Sequence, residues 1–389
     1  MKKIKEIIFI SNYFNHHQKY FCEEMYNILG DGFKFIETSK MTFERRNMGW
    51  GENNLPMYVI SEANYKDKMI QCQELINKAD VVIIGSAPEF LITTRKRENK
   101  LVFRYSERPL KKGLEPLKYL FRFVKWNYIN RSNNIYMLCA SAYTSADYSK
   151  FFLFKNKCYK WGYFPRVFKY EDIDEIIKCK KKTSILWAGR FIDWKHPEVA
   201  IKVAERLKNE GYDFKLSIIG IGELENNLTS MISDKKLSDC ISILGAMSPD
   251  EVRKNMLENE IFLFTSDRNE GWGAVLNESM NSGCAVVASH AIGSVPFLLE
   301  SEKNGLIYKD GDFEDFYKKV RKLLDDDKLR YKLGKNAYLT MAEMWSSENA
   351  AKRLIELAQT ILNGDKNSDI FEIGVCSKAK EIKDDWFAV

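Results

Sequence analysis

Short apolar runs alternate with helical stretches along almost the whole chain of 389 residues. Most runs are continuous in Val, Ile, Leu and Phe and end in Gly or Ser. Such a run is typical of a parallel strand that helices cover on both faces, so the pattern predicts parallel α/β sheets. The predicted strands are Ile7–Ser11, Phe33–Glu37, Val81–Gly85, Leu101–Tyr105, Ile135–Ala140, Cys158–Tyr163, Ser184–Gly189, Leu216–Gly220, Ile241–Gly245, Ile261–Ser266, Ala285–Ser289 and Leu306–Tyr308.

A charged, Lys-rich segment between Arg166 and Thr183 lacks a clear strand and is interpreted as a linker. The length of the chain also suits two domains. We predict an N-terminal Rossmann-like domain in residues 1–168 and a C-terminal one in residues 183–362. Residues 363–389 are predicted to be a tail that packs back on the first domain. Two such domains are expected to face each other across a cleft lined by strand carboxyl ends, which is where open α/β sheets usually bind ligands.

The composition fits a soluble, globular protein, with 45% hydrophobic and 29% charged residues. The 60 basic and 54 acidic residues leave a formal net charge of +6, which does not call for a nucleic-acid partner. Eight scattered cysteines without a CxxC pair indicate reduced core residues. No apolar run approaches the ~20 residues that span a bilayer. We therefore expect a cytoplasmic protein that could lie at the inner face of the plasma membrane.

The most informative stretch combines a predicted strand, a polar loop, glycines and a helix start. Glu270 and Gly271-Trp272-Gly273 precede a helix that is predicted to begin at about Ala274, and Glu278 follows Glu270 by eight residues. Glycines let a ligand approach the backbone, and helix-start N–H groups favour anionic or hydroxylated ligands. A carboxylate accepts two hydroxyls of a sugar diol. Two helical turns would place both carboxylates on one side of the helix; incidental carboxylates on a solvated face are the alternative.

Other loops at the same predicted sheet edge carry basic residues and glycines. Arg190 offers a planar fork and Lys195 a compact charge, a combination that suits a diphosphate. An ordinary surface loop is the alternative. Gly220, and the loop that contains Gly245 and Met247, are predicted to form a wall of a nucleotide site.

The order of these motifs resembles that of the retaining GT-B glycosyltransferases of family 4, over roughly residues 184–362. The resemblance implies a hexosyltransferase that needs no metal and no cofactor beyond its donor, a UDP- or GDP-sugar. It implies transfer, with retained configuration, to a hydroxyl of a saccharide, lipid-linked glycan or protein acceptor, in surface glycan assembly. The motifs are Gly189-Arg190, Lys195, Glu270-Gly271-Trp272-Gly273, Glu278, Gly283, Gly293 and Asn304-Gly305-Leu306.

The same resemblance implies roles for individual residues. Arg190 and Lys195 would hold the donor diphosphate. Glu270 would lie beside the transferred sugar, and Glu278 would bind the ribose. The implied backbone and loop contacts with the donor are Gly189, Gly245, Met247, Gly271, Trp272, Gly273 and Ala274.

The first half carries fewer signals. Asn15 is predicted to cap a helix, and His16 could bind an acceptor or a phosphate; solvated imidazoles at a helix start are the alternative. Family members commonly have a glycine-rich loop here, which this chain lacks. Glu107, or Arg108, stands where relatives often have a histidine near the reacting carbon, with a structural salt bridge as the alternative.

A basic amphipathic helix is predicted between Leu114 and Tyr128. Such a helix can lie on an anionic membrane, or it can bury its apolar face against its own sheet. Its apolar positions are Leu117, Leu120, Phe121 and Val124, and its basic positions are Lys118, Arg122 and Lys125.

Three other functions remain open. An epimerase or phosphorylase with the GT-B fold would convert the donor without an acceptor. A non-catalytic scaffold would bind a sugar nucleotide without turnover. A basic adaptor of the membrane surface would bind anionic lipid and no nucleotide.

Overall fold

The computed structural model describes residues 3–42, 54–113, 115–365 and 369–387. It divides the chain into two compact units. The first domain contains Met1–Arg166 and Trp345–Lys383, and the second contains Val167–Met344 and Asp384–Val389. Residues 345–362, which the sequence prediction placed in the second domain, therefore belong to the first.

The first domain is built on a seven-stranded sheet in the order β3-β2-β1-β4-β5-β6-β7. All of its neighbouring strands are parallel, as the continuous apolar runs predicted. The two residues of β3 escaped prediction because so short a run carries no pattern. The strands are β1 (Ile7–Ser11), β2 (Phe33–Glu37), β3 (Val59–Ile60), β4 (Val81–Ile84), β5 (Val102–Ser106), β6 (Ile135–Cys139) and β7 (Cys158–Lys160).

Helices connect these strands. The prediction that Asn15 caps the first helix is confirmed, because its Oδ1 accepts the N–H of His17 at 3.0 Å. The helices are α1 (His16–Leu29), α2 (Glu62–Asp67), α3 (Met69–Lys78), α4 (Thr93–Arg97), α5 (Pro116–Ile129) and α6 (Thr144–Ser149).

A buried arginine fastens two of these helices to the sheet. The Nη1 of Arg95 donates to the carbonyls of Ile76 and Ala79 at 2.8 and 2.7 Å. Its Nη2 donates to Asp80 and Leu101 at 3.3 and 2.8 Å. Burial lowers the pKa of Arg95 to about 10, so the guanidinium is still charged at neutral pH. It satisfies carbonyls at the end of α3 and beside the starts of β4 and β5, which would otherwise be buried without a donor.

The second domain is built on a six-stranded parallel sheet in the order β10-β9-β8-β11-β12-β13. All six predicted runs of this half are strands, and β8 starts earlier than predicted, at Lys181. A core of apolar side chains from β8, β9 and β11 and the helices beside them includes Trp187, Ile218 and Leu263. The strands are β8 (Lys181–Ala188), β9 (Lys215–Ile219), β10 (Ile241–Gly245), β11 (Asn259–Phe264), β12 (Ala285–Ser289) and β13 (Leu306–Tyr308).

The segment interpreted as a linker contains α7, whose Ile173 and Ile177 pack against Tyr338. This helix was not predicted, because it is short and ends at a Lys-rich segment. A π-helical turn, Thr340–Met344, ends the main part of this domain. The helices are α7 (Ile173–Lys178), α8 (Pro197–Asn209), α9 (Glu225–Asp234), α10 (Pro249–Glu258), α11 (Val275–Asn281), α12 (Val295–Leu298), α13 (Phe313–Asp325) and α14 (Asp327–Leu339).

The C-terminal part of the chain returns to the first domain. Helix α15 (Ser347–Leu362) packs on α1, and Gln359 Oε1 accepts the N–H of Ile4 at 3.0 Å. Further on, residues 376–379 run beside β7, where the N–H of Lys160 donates to the carbonyl of Ser377 at 2.8 Å. The predicted tail therefore contacts the first domain, whereas its last residues, from Asp384, belong to the second.

The search for membrane spans in the described ranges finds no helix that is both long and apolar enough to cross a bilayer. All eight cysteines are free thiols, and seven of them are buried, as a set of core residues should be.

Replacing Arg95 with methionine should destabilise the first domain, because four carbonyl groups lose their buried donor. We expect Arg95→Met to lower the free energy of unfolding by about 3 kcal/mol or more, as measured by urea denaturation. Arg97→Met is the matched control, because Arg97 is exposed on the same helix. Equal stability of the two variants would contradict this role for Arg95.

Candidate functional site

Two adjacent central strands of the second domain position the charged residues. Strands β8 and β11 run parallel, with Trp187 beside Leu263. Their carboxyl ends therefore meet at one sheet edge, where the loops after them carry Lys195 and Glu270. This edge is where open α/β sheets bind ligands.

The structure brings Lys195 and Glu270 together. The Nζ of Lys195 lies 2.6 Å from Oε2 of Glu270, and their side chains are only 14% and 15% exposed. Ser266 Oγ donates to the same carboxylate oxygen at 3.2 Å. Behind the pair, Thr265 Oγ1 donates to the carbonyl of Lys195 at 2.7 Å, and the indole N–H of Trp187 donates to Thr265 at 2.8 Å. These bonds tie the two loops together and fix the ion pair at the sheet edge.

The loop that follows Glu270 is closely packed. Gly273 has φ +81°, and a Cβ there would lie 2.3 Å from Cζ of Phe264, so only glycine fits. Trp272 is fully buried, and its indole N–H donates to Oδ1 of Asn277 at 2.9 Å. Ser294 Oγ donates to the carbonyl of Trp272 at 2.6 Å. Gly271 to Gly273 thus form a rigid approach to the start of α11.

The predicted helix start is confirmed, with Ala274 as the N-cap residue of α11. The argument that two helical turns separate the two carboxylates is wrong. Glu270 lies in the loop, where the positive φ of Gly273 interrupts any helical path, and only Glu278 lies on the helix.

Glu278 lies in the first turn of α11 and is partly buried. Burial raises the pKa of Glu278 to about 7, and the positive charge of Arg253 opposes this shift. Among the described residues, no side chain donates a hydrogen bond to its carboxylate. A shielded carboxylate whose acceptors are unused is suited to receive the hydroxyls of a ligand.

A histidine and two carboxylates beside the ion pair were not singled out from the sequence. His196, with φ 49°, precedes α8; its Nε2 lies 3.4 Å from Asp267 Oδ2 and its Nδ1 lies 3.2 Å from Glu198 Oε1. Hydrogen bonding to Glu198, with a contribution from Asp267, raises the pKa of His196. The position of His196 directly after Lys195 could have indicated a place in the site. Its contact with Asp267, 71 residues further on, could not be read from the sequence.

Other predicted residues lie in loops after β8, β9 and β10. Gly220 has φ +147°, and a Cβ there would lie 1.8 Å from the carbonyl oxygen of Gly189, so Gly220 is required for packing between the loops after β8 and β9. Arg190 is exposed, and its guanidinium lies 5.7 Å from the ring centre of Trp194. The space beside Gly245 is open, whereas Met247 accepts a hydrogen bond from Asn255.

The remaining candidates lie in the first domain. Glu107 accepts hydrogen bonds from the hydroxyl of Tyr163 and from Lys111, so it takes part in a salt bridge. His16 lies 3.8 Å, ring centre to ring centre, from His17, which stacks on Tyr163 at 4.7 Å.

Arg108 was the alternative to Glu107. It is buried in an ion pair with Asp147 at 3.2 Å and covers the ring of Tyr143. Both side chains of the pair are almost completely buried, which fits the salt bridge of the alternative interpretation.

A family model matches a segment of the chain that lies in the second domain. The family model described as Glycosyl transferases group 1 matches residues 169–340. The match lies within the second domain and covers less than half of the chain. The predicted resemblance to group 1 glycosyltransferases is thereby confirmed for this part of the chain.

Curated glycosyltransferases are similar to only part of the chain. The amylovoran biosynthesis glycosyltransferase AmsK of Erwinia amylovora is 35% identical over 133 residues, which are 33% of this chain and 32% of the relative. A Campylobacter jejuni protein is 31% identical over 172 residues, 44% of this chain and 45% of the relative. Its name is N-acetylgalactosamine-N,N'-diacetylbacillosaminyl-diphospho-undecaprenol 4-alpha-N-acetylgalactosaminyltransferase. The chain thus spans less than half the length of these relatives.

Solved structures resemble this chain over almost its whole length. Anabaena Alr3699/HepE in complex with UDP has a TM-score of 0.68 at 13% identity. The match covers 91% of this chain and 100% of the Anabaena chain. A glycosyltransferase from Rickettsia africae has a TM-score of 0.65 at 16% identity, with 94% and 100% covered. These likenesses confirm the fold class, GT-B with two Rossmann-like domains. The predicted cleft between the domains stays a prediction.

Removing the charge of Glu278 should stabilise the protein at high pH. Its pKa is about 7 when folded and about 4.5 when unfolded, so the carboxylate destabilises the fold increasingly as pH rises between these values. We expect Glu278→Gln to raise the free energy of unfolding by about 3 kcal/mol at about pH 8 and by less than about 1 kcal/mol at about pH 5. Urea denaturation at both pH values measures the difference. Glu225→Gln, at an exposed position on α9, is the control; equal behaviour of both variants would contradict the shift.

Proposed function

We propose that the chain is a retaining glycosyltransferase that moves a sugar from a nucleotide diphosphate sugar to an acceptor hydroxyl. The observation that carries the proposal is the Lys195–Glu270 ion pair, held at the carboxyl ends of two adjacent strands beside the glycine-rich start of α11. The group 1 family of the second domain supports the same reaction. In this proposal the second domain binds the donor and the first domain binds the acceptor.

Glu278 would bind the ribose of the donor. Its shielded carboxylate offers acceptors to two vicinal hydroxyls, and no described side chain competes for them. The hydrogen bonds that the ribose donates would favour the charged carboxylate, and so they would offset the cost of its burial. Gly220, Gly245 and Met247 would border the base.

Lys195 and Arg190 would hold the diphosphate. The ammonium group of Lys195 has three N–H donors, and its contact with Glu270 uses one of them. Arg190 lies exposed against Trp194 and offers its guanidinium fork to a second phosphate oxygen. These two cations would neutralise the leaving group, so we propose a reaction that needs no metal ion.

Glu270 and the backbone of Gly271 to Ala274 would orient the transferred sugar. In the reaction, the bond between the anomeric carbon and the diphosphate oxygen breaks while the acceptor oxygen bonds to the same carbon from the same face. The proton of the acceptor hydroxyl passes to the departing phosphate oxygen. Charge grows on the leaving group during this step, and preorganised donors such as Lys195 stabilise it.

The acceptor would be a saccharide, a lipid-linked glycan or a protein, in surface polysaccharide assembly. The names of the relatives support this class, since one acts in amylovoran biosynthesis and another names a diphospho-undecaprenol-linked sugar. In the first domain, Glu107 with Tyr163 and Lys111 forms a polar cluster at the carboxyl end of β5, and His16 lies at the start of α1. These groups are our candidates for acceptor binding. The donor would be a UDP- or GDP-sugar, and the UDP bound to the Anabaena protein makes UDP-sugars the first to test.

Variants of the ion pair test the reaction. A thermal-shift screen with UDP-, GDP-, ADP- and CMP-sugars first identifies the donor, since a ligand that binds the folded state raises the melting temperature. Sugar transfer from that donor to a polyprenol diphosphate-linked saccharide is then measured as product formed. We expect Lys195→Gln and Glu270→Gln each to lower the rate by about 100-fold or more.

Lys202→Gln is the matched control for these variants, because Lys202 is exposed on α8, which follows Lys195. Circular dichroism confirms that each variant is folded. Full activity of either ion-pair variant would overturn the proposed site. Donor binding without transfer to any acceptor would favour a non-catalytic protein, and an altered sugar nucleotide formed from donor alone would favour an epimerase.

Donor binding should depend on pH through Glu278. Since the ribose is expected to bind the charged carboxylate, the affinity for UDP or GDP should rise by up to about tenfold from about pH 6 to about pH 8. Isothermal titration calorimetry measures the dissociation constants. Glu278→Gln should bind more weakly at the higher pH and lose this part of the pH dependence. The titration of the nucleotide's own phosphate is common to both proteins, so identical profiles would contradict ribose binding by Glu278.

A further inference from the structure

The helix α5 (Pro116–Ile129) presents an apolar stripe to solvent. Leu120, Val124 and Tyr128 recur at intervals of four residues, and Phe121 lies three residues before Val124, so all four lie on one face of the helix. Their exposure lies between 61% and 75%. Phe152, which is 82% exposed, extends the stripe beside α5 and lies 6.4 Å from Phe123, ring centre to ring centre. Large apolar groups clustered in this way on a surface mark an interaction site.

A different face of α5 packs against its own domain. Tyr119 stacks on Phe151 at 5.2 Å, and Trp126 lies 4.6 Å from the same ring. The side-chain amide of Asn127 donates to the carbonyl of Phe151 at 3.2 Å. The helix therefore fulfils its packing role with these residues, and the exposed stripe is not needed for the core.

Positive charge borders the stripe. Lys118, Arg122 and Lys125 also recur at spacings of four and three residues, and no acidic residue occurs between Pro116 and Ile129. Lys118 pairs with Glu115 at 2.7 Å. Among the described residues, Arg122 and Lys125 have no carboxylate partner. Their cationic groups instead lie 5.8 and 5.9 Å from the rings of Trp126 and Phe121.

We propose that α5 and Phe152 dock the protein on a bilayer surface that carries anionic lipid. The stripe would enter the boundary between headgroups and acyl chains while the cations contact phosphate, as in helices that lie in the plane of a membrane. Aromatic side chains such as Phe121 and Tyr128 suit this boundary. An acidic protein surface would satisfy the cations alone, whereas a bilayer also buries the whole apolar stripe.

The exposure of the stripe decides between the two sequence interpretations of the helix. The alternative placed Leu117, Leu120, Phe121 and Val124 against the domain's own sheet, and the side chain of Leu117 lies outside those that the structure describes. The exposure of the other three excludes that packing and leaves them available to a membrane.

Vesicle co-sedimentation of the full chain tests the proposal without any measurement of activity. We expect the protein to sediment with vesicles of phosphatidylcholine and phosphatidylglycerol in equal parts and to stay in solution with phosphatidylcholine alone. Arg122→Gln with Lys125→Gln should weaken binding by about fivefold for each charge removed. Leu120→Gln with Val124→Gln should weaken it by about tenfold or more.

Matched controls separate a local effect from a general one. Lys202→Gln with Lys254→Gln changes the net charge equally at exposed positions of α8 and α10, and Ile70→Gln removes an apolar side chain that is 79% exposed on α3. Both controls should bind like the parent protein. Equal binding to neutral vesicles, or equal losses in the controls, would overturn the proposal. Vesicle-independent self-association that the Leu120/Val124 variant abolishes, seen by light scattering, would assign the stripe to a second copy instead.

Discussion

The contact between Lys195 and Glu270 joins the loops that follow two neighbouring strands, and the candidate site is arranged around it. Thr265, which lies in the loop that carries Glu270, holds the backbone of Lys195, and Ser266 of the same loop contacts the carboxylate. The indole of Trp187 anchors this arrangement in the core of the second domain. A charge pair so fixed loses little conformational entropy when a ligand arrives, and this is how a site gains from preorganisation.

Much of the fold could be predicted from the sequence, because buried parallel strands consist of continuous apolar runs. Where the structure describes the chain, the runs located every strand except β3, whose two residues form no pattern. They did not indicate α7, which ends at a Lys-rich segment. Within the site, the sequence pointed to both members of the ion pair but not to their contact, which spans 75 residues. The pairing of His196 with Asp267 was missed for the same reason. The helical-spacing argument for Glu270 failed because a glycine with positive φ separates it from the helix.

Two features of the molecule lower its stability locally, and the packing of the protein does not require either of them. Glu278 keeps a partly buried carboxylate to which no described side chain donates, and α5 keeps large apolar side chains in water. Neither is explained by the stability of its domain, since a neutral or polar residue would serve the fold better in both places. At such sites, the binding of a partner can offset the stability that the folded protein loses by keeping these residues.

The return of α15 to the first domain also has a consequence for how the protein is made. The helix α1 is packed against a helix that begins at Ser347, and β7 receives its neighbour from residues 376–379. A ribosome releases the entire main segment of the second domain, up to Met344, before it releases these closing pieces. The domain that is synthesised first is therefore the one whose structure is completed last. Until α15 has been synthesised, the surface of the first domain that it covers is exposed, and the partly synthesised domain must stay soluble in that state.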